Sequence, residues 1–210
     1  MSKTKFALEE LIIPLPDNTE ITLWFDGNGK ITKGNGTFDK PVANSFSLVQ
    51  KDDCPFATEI CKSVCYVNNL EKTEVRVHDK FKHNSKAIRE ILNNPVTQKI
   101  VEDAFAQYIR RFCSNGFRWH VSGDIFSVEY AKFITSICKK VPRVRCWIYT
   151  RSFDYLSELY EIQNLAVNLS ADKENINEAK KDLDKGFGYK PNSASCKRVK
   201  DLMVSGGELK

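Results

Sequence analysis

No run of about 18 consecutive apolar residues occurs in the 210-residue chain, so no helix long enough to span a membrane is expected. The opening MSKTKFALEELIIPLPD is broken by Glu9, Glu10, Pro14 and Pro16, and it lacks the apolar core and small-residue cleavage site of a signal peptide. Internal repeats and low-complexity tracts are missing too. Charge of one sign is scarce: 32 basic residues against 27 acidic leave +5, far short of the excess carried by dedicated nucleic-acid binders. These absences predict a cytoplasmic chain, whose thiols remain reduced. Its seven cysteines are odd in number and include no Cys-x2-Cys pair, so neither a full disulfide framework nor a pair of zinc knuckles fits them.

What is present points to a folded domain. With 41% apolar residues and thirteen Phe, the chain can bury a substantial core, and a single domain over 1–210 is expected. Residues 1–50 read as a β lead-in: ITLWF (21–25) runs into DGNGK, where Asn and Gly accept positive φ and favour a β-hairpin, and SFSLV (45–49) is a further short strand. Residues 51–70 hold the cysteine motif, 84–185 a helical and βα core, and 186–210 a loop and tail. From Asn84, NSKAIREILNN reads as a helix ending at Asn94-Pro95. The next segment, VTQKIVEDAFAQYIRRFCSNG, puts Ile100, Val101, Ala104, Phe105, Tyr108, Ile109 and Phe112 on one stripe, with Cys113 a packed thiol at its end.

From residue 117 the pattern alternates. FRWHVSGD, RVRCWIYTRS and LAVNLSAD read as strands; SVEYAKFITSICKKV, capped by Ser127, and FDYLSELYEIQ read as helices. The fold class is therefore α/β, built of parallel βα units in an open sheet or a small, incomplete βα barrel. Polar clusters end each strand: Ser122, Gly123 and Asp124; then Thr150, Arg151 and Ser152; then Ser170 and Asp172. Loops and helix N-termini converge on the carboxyl ends of parallel strands, which makes these residues candidate ligand-binding groups. Ser and Asp before a helix are also ordinary N-caps. Arg151 is different, because a cation there opposes the helix dipole and an anionic ligand would explain its place. His120 alternates with Trp119 and Val121 and should face opposite to them, as a buried sheet-face histidine or as a ligand or general base. Cys138 and Cys146 fall on apolar stripes and read as core.

The chemistry concentrates in DDCPFATEICKSVCY, residues 52–66. Cys61 and Cys65 are four apart and share a face if ATEICKSVCYV turns helically, and the Cys54-Pro55 loop can fold back to meet them. Three converging thiolates suit an iron–sulfur cluster or zinc better than oxygen-seeking ions. For a fourth position the remote candidates are Cys196, His78 and His83; Cys196 leads, as the other cysteine in a loop-like polar segment. SGGE at 205–208 looks like the glycine-rich motif of radical S-adenosylmethionine enzymes. It lies near the C-terminus, however, and cysteine spacings of six and then three intervening residues depart from the three-then-two pattern of that superfamily.

Taken in order, FSL, CPFATEICKSVCY, FRWHVSGDIFSVEYA, WIYTRS and LAVNLSAD resemble a bacteriophage-borne family, gene product 88-like, from about Ser45 to Asp172. The resemblance implies the cytoplasm of an infected bacterium and an iron–sulfur site at Cys54, Cys61 and Cys65. His120, Ser122, Gly123, Asp124, Thr150, Arg151 and Ser152 are the other family-like positions. Family members continue into a cysteine-rich C-terminal segment, where this chain has Cys196 alone.

Two functions are expected from these readings. The first is a cluster-binding protein, with 4Fe-4S the expected type, that acts on a small polar or anionic substrate at the strand ends, with Asp124, Arg151 and His120 as candidate catalytic groups. The second is a non-catalytic binding protein in which iron–sulfur or zinc staples a loop to the sheet. Nucleic acid is its candidate partner through KKVPRVR (139–145) and KRVK (197–200).

Overall fold

In a computed structural model of the chain, the residues described are 3–7, 9–27, 43–185 and the short strand 203–204. The hairpin expected at DGNGK falls largely outside them, as do Cys196, KRVK and the 186–202 loop.

Two sheets form. β1 (Lys5–Phe6), β2 (Glu10–Pro14) and β3 (Glu20–Trp24) make an antiparallel meander. Its β2–β3 turn closes when Leu15 N–H donates to Thr19 O at 2.8 Å, with Asn18 taking φ 68°, a conformation Asn tolerates. The second sheet runs β4 (Ser45–Phe46), β5 (Phe117–Trp119), β6 (Cys146–Thr150), β7 (Leu165–Ala171) and β8 (Met203–Val204), all parallel and in chain order. The α/β expectation holds, and the sheet is open, with β4 and β8 at its edges and no closed barrel. Parallel crossovers are right-handed, so an order without reversal puts successive helices on one face. The burial pattern agrees: Phe117, Trp119, Cys146 and Ile148 are buried, while Arg118, Trp147 and Tyr149 on the other face are half-buried.

Between β4 and β5 lie α1 (Glu59–Val64), α2 (Val67–Thr73), α3 (Val75–Leu92) and α4 (Pro95–Phe112). The first long helix starts nine residues before Asn84, where expected to begin, and it ends as expected before Asn94, whose side chain caps α4 by accepting from Val96 and Thr97 N–H at 3.0 and 3.2 Å. After β5, α5 (Val128–Lys140) is capped by Ser127, which accepts from Tyr130 N–H at 3.2 Å. FDYLSELYEIQ gives only a 3-10 turn, Phe153–Tyr155, and a four-residue α6 (Leu156–Leu159) before β7. α7 (Ile176–Asp184) follows.

The core is aromatic. Phe25 stacks on Tyr108 at 3.6 Å, Phe105 stacks on Trp119 at 5.2 Å, and Phe46 and Phe117 close edge-on around Phe105, so α4 is clamped between the sheets. Cys113, Cys138 and Cys146 are buried in this core, as their stripes predicted, and Cys138 Sγ accepts from Trp119 Nε1 at 3.4 Å.

One buried amide welds the two sheets. Asn84, fully buried on α3, accepts from Trp24 N–H at 2.9 Å and donates to Trp24 O and Ser47 O at 2.8 and 3.0 Å. Replacing it with Ala strands backbone groups at a cost of about 1–3 kcal/mol each. Urea unfolding of Asn84→Ala is therefore expected to show a loss of at least about 2 kcal/mol with the m-value unchanged.

Candidate functional site

The motif at residues 52–66 folds as a loop followed by a short helix laid over the carboxyl ends of β5, β6 and β7. Thr58 starts α1: its hydroxyl accepts from Cys61 N–H at 3.0 Å and donates to Asp172 Oδ2 at 2.5 Å, fastening the helix to the end of β7. Glu59 N–H donates to Glu174 Oε2 at 3.1 Å, a second tie to the same loop. No residue of α1 is buried, so these polar ties place it rather than hydrophobic contact.

A cavity of about 610 Å³ opens between the motif and the strand ends. Cys54, Cys61 and Cys65 all line it, and none is in a disulfide. Facing them are His120, Ser122, Gly123, Asp124, Thr150, Arg151 and Ser170. The structure thus brings together ten of the residues singled out in the sequence, while Asp172 lies outside the lining. Ser152 lies outside the lining, fully buried, donating to Ile125 O at 2.6 Å, and His78 and His83 are not part of it. Among the described residues, no group of three or more His, Cys, Asp or Glu is arranged to hold a single metal ion.

Asp124 is the organiser of the strand ends. Its Oδ1 accepts from the Thr150 hydroxyl and Ile125 N–H at 2.6 and 2.7 Å, and its Oδ2 from Arg151 N–H at 2.8 Å. Burial nevertheless lifts its carboxyl to about 6 against those hydrogen bonds. Gly123, at φ +83°, lets this loop reach the β4 side, because a Cβ there would meet Leu48 Cβ at 2.7 Å.

Arg151 has an anionic partner within the chain. Its Nη1 pairs with Asp172 Oδ2 at 2.9 Å, and the two side chains are 10% and 1% exposed. A ligand is not required to explain its position. Burial also raises Asp172, but hydrogen bonds from Thr58 and the Glu174 N–H, together with Arg151, outweigh it and hold the carboxyl below its ordinary value. Burial pushes the Cys54 thiol far up, and the neighbouring Asp124, Cys61, Cys65 and Asp53 add to it. The Cys61 thiol is also raised by burial, against the opposing pull of the Arg151 guanidinium.

His120 departs from its expected orientation. It takes φ +60°, which breaks the strand alternation, ends β5 and turns the ring to the same side as Trp119, where Nε2 meets Tyr130 Oη of α5 at 2.8 Å. Its Nδ1 is buried without a partner. Burial first, and then Arg118, lower its pKa to about 3, so the ring is neutral and unsuited to accepting a proton at neutral pH.

The cavity wall also holds groups that the motifs did not reveal: Arg118 and Tyr149 from the half-buried sheet face, and Tyr66, whose hydroxyl donates to Val121 O at 2.5 Å. A charged residue inside FRW, between two core aromatics, was the available signal for Arg118.

The profile of the family described as Gene product 88 matches residues 22–201. The chain belongs to the Gene product 88 family. Within that family it is similar to the Gene 88 protein of Mycobacterium phage L5, at 34% identity over 166 residues, covering 75% of this chain and 68% of that protein. No solved structure matches the chain. The matched region takes in the cysteine motif, the Asp124 loop and the strand ends of β6 and β7, so every described component of the cavity lies inside it.

Because His120 is held neutral, it links stability to pH. Above 6.5 it is uncharged in both folded and unfolded chains, and its contribution is fully present. As pH falls from 6.5 towards the folded value of about 3, the unfolded chain takes up a proton that the folded chain refuses, and that contribution drains away. Asn tolerates positive φ and cannot titrate here. The unfolding free energy of wild type relative to His120→Asn is expected to fall by about 1.4 kcal/mol per pH unit below 6. Urea titrations at pH 7 and pH 5 giving the same difference would refute this.

Proposed function

We propose that the chain holds an iron–sulfur cluster through Cys54, Cys61 and Cys65 and binds a small polar or anionic substrate at the carboxyl ends of its parallel strands, in the cytoplasm of an infected bacterium. The observation that carries the reading is that three unpaired thiols line one cavity together with the strand-end polar residues. The volume of about 610 Å³ is that of a small-molecule site.

The donor set fits a cluster better than a single zinc ion. Zinc bonds each sulfur at about 2.3 Å, which crowds its thiolates to within about 4 Å of one another. The described residues contain no group arranged in that way. A 4Fe-4S cluster distributes its cysteines over different irons, which lets the thiols stand further apart around a shared cavity. Burial raises the Cys61 thiol on balance, and the Arg151 guanidinium beside it opposes that rise, in the direction that ligation requires. Three cysteines leave one iron to Cys196, solvent or substrate; Cys196 falls outside the described residues.

A bound cluster supplies electron transfer or, at an iron without a cysteine, a Lewis acid for removing a group. The chain's own residues do the rest. The Thr58–Asp172–Arg151 ties hold the thiol-bearing helix over the strand ends, and Asp124 fixes the Thr150–Arg151 end of β6. Its carboxylate, with both oxygens occupied by internal donors, orients the wall rather than carrying a proton.

Anaerobic purification is expected to yield brown protein with iron and acid-labile sulfide in similar amounts. Cys54→Ser, Cys61→Ser and Cys65→Ser are each expected to lose most of both while keeping the wild-type circular dichroism. Colourless protein with stoichiometric zinc would overturn the reading. Full iron content in Cys196→Ser would assign the fourth iron to something other than cysteine.

A further inference from the structure

We propose that Arg118 is the oxyanion-binding group of this cavity, and that the cavity's ligand carries a carboxylate or phosphate docked on its guanidinium. The inference deepens the substrate half of the reading above and does not depend on which metal the thiols hold.

Arg118 occupies the middle of β5, paired with Trp147 of β6, and it projects from the face opposite Phe117 and Trp119. On that face the side chain is half-buried, and taking a charge part-way out of water is costly unless something compensates it. For the other guanidiniums near the site the compensation is visible: Arg151 pairs with Asp172 at 2.9 Å, and Arg89 with Asp53 at 2.5 Å. Among the described residues Arg118 makes no ion pair, and it lines the cavity. The nearest carboxylate in the lining, Asp124, has both oxygens committed to Thr150, Ile125 and Arg151.

The guanidinium is also held in one orientation. Nε donates to His120 O at 2.9 Å, and Cζ stands 5.3 Å from the Tyr149 ring centroid. The carbonyl that anchors Nε belongs to the residue at φ +60°, a backbone state that costs about 1–3 kcal/mol and persists where the surroundings enforce it. The Tyr66 hydroxyl, also in the cavity wall, hydrogen-bonds the same guanidinium, and the five N–H donors of the fork outnumber these two partners, leaving donors for a ligand. Two N–H groups of a planar fork match the two oxygens of a carboxylate or phosphate, which an ammonium does not. A volume of about 610 Å³ suits a small molecule.

The test uses the full chain, purified anaerobically, titrated with inorganic phosphate in one arm and succinate in the other, with thermal protection and calorimetry as readouts. At least one anion is expected to protect wild type saturably. Arg118→Gln is expected to weaken that binding by at least about tenfold, and Arg118→Lys, which keeps the charge but loses the fork, to weaken it less. Lys132→Gln, an exposed cation on α5, is expected to bind as wild type does. If Arg118→Gln does not fold, Arg118→Lys decides: a clear weakening supports the assignment and unchanged affinity overturns it. Absence of protection by either anion, or equal protection of wild type and Arg118→Gln, also overturns it. Iron and sulfide are measured on the same samples, so iron-free protein with Arg118-dependent anion binding upholds this assignment while counting against the cluster.

Discussion

Everything at the open end of the sheet hangs on one carboxylate, Asp172. Its Oδ2 receives the hydroxyl of Thr58 and the guanidinium of Arg151, and its Oδ1 receives the N–H of Glu174. Three segments far apart in sequence therefore meet at one side chain that is 1% exposed. Removing water raises the electrostatic strength of each tie, and it also makes the group intolerable without all of them. Asp172 joins the thiol-bearing helix to the sheet and cancels the charge of Arg151, which is therefore not the site's free anion receptor.

Asp124 repeats the device one strand over, with a different outcome. Both carboxylates are buried and both accept from the end of β6, yet Asp124 is lifted to about 6 while Asp172 is held below its ordinary value. For Asp124 burial outweighs its hydroxyl and backbone donors; for Asp172 the Thr58 hydroxyl and the Glu174 N–H, joined by the Arg151 guanidinium, outweigh burial. Asp124, the carboxylate among the described lining residues, thus has both oxygens filled by hydroxyl and backbone donors, and Arg118 lines the same wall without an ion pair.

Much of this was legible in the sequence because it follows from short-range rules. The 3.6-residue stripe of α4, the Ser127 cap of α5, the parallel order of β5, β6 and β7, and the core placement of Cys113, Cys138 and Cys146 each depend on local pattern. The convergence of the cysteine motif with Ser122, Gly123, Asp124, Thr150 and Arg151 followed from the rule that parallel strands gather their carboxyl ends on one side. Periodicity misled where a single dihedral intervened. His120 was expected opposite Trp119, but its positive φ turned it to the same side, and no sequence alternation encodes that. Arg151 was read as wanting a ligand because its true partner lies 21 residues on, in a contact made only by folding. Arg118 went unread because the strand pattern gave weight to its aromatic neighbours.

The helix that carries Cys61 and Cys65 buries none of its own side chains, and this gives it a particular place in the order of assembly. Six residues are too few to be helical alone, and what holds them is a cap, two polar ties and the shared cavity. The aromatic core and the sheet have no such dependence. The molecule therefore divides into a chassis held by hydrophobic contact and a short helix held to it by polar ties alone. The order of assembly follows: sheet and core come first, and the thiols reach the strand ends last, once Asp172 is in place to receive Thr58.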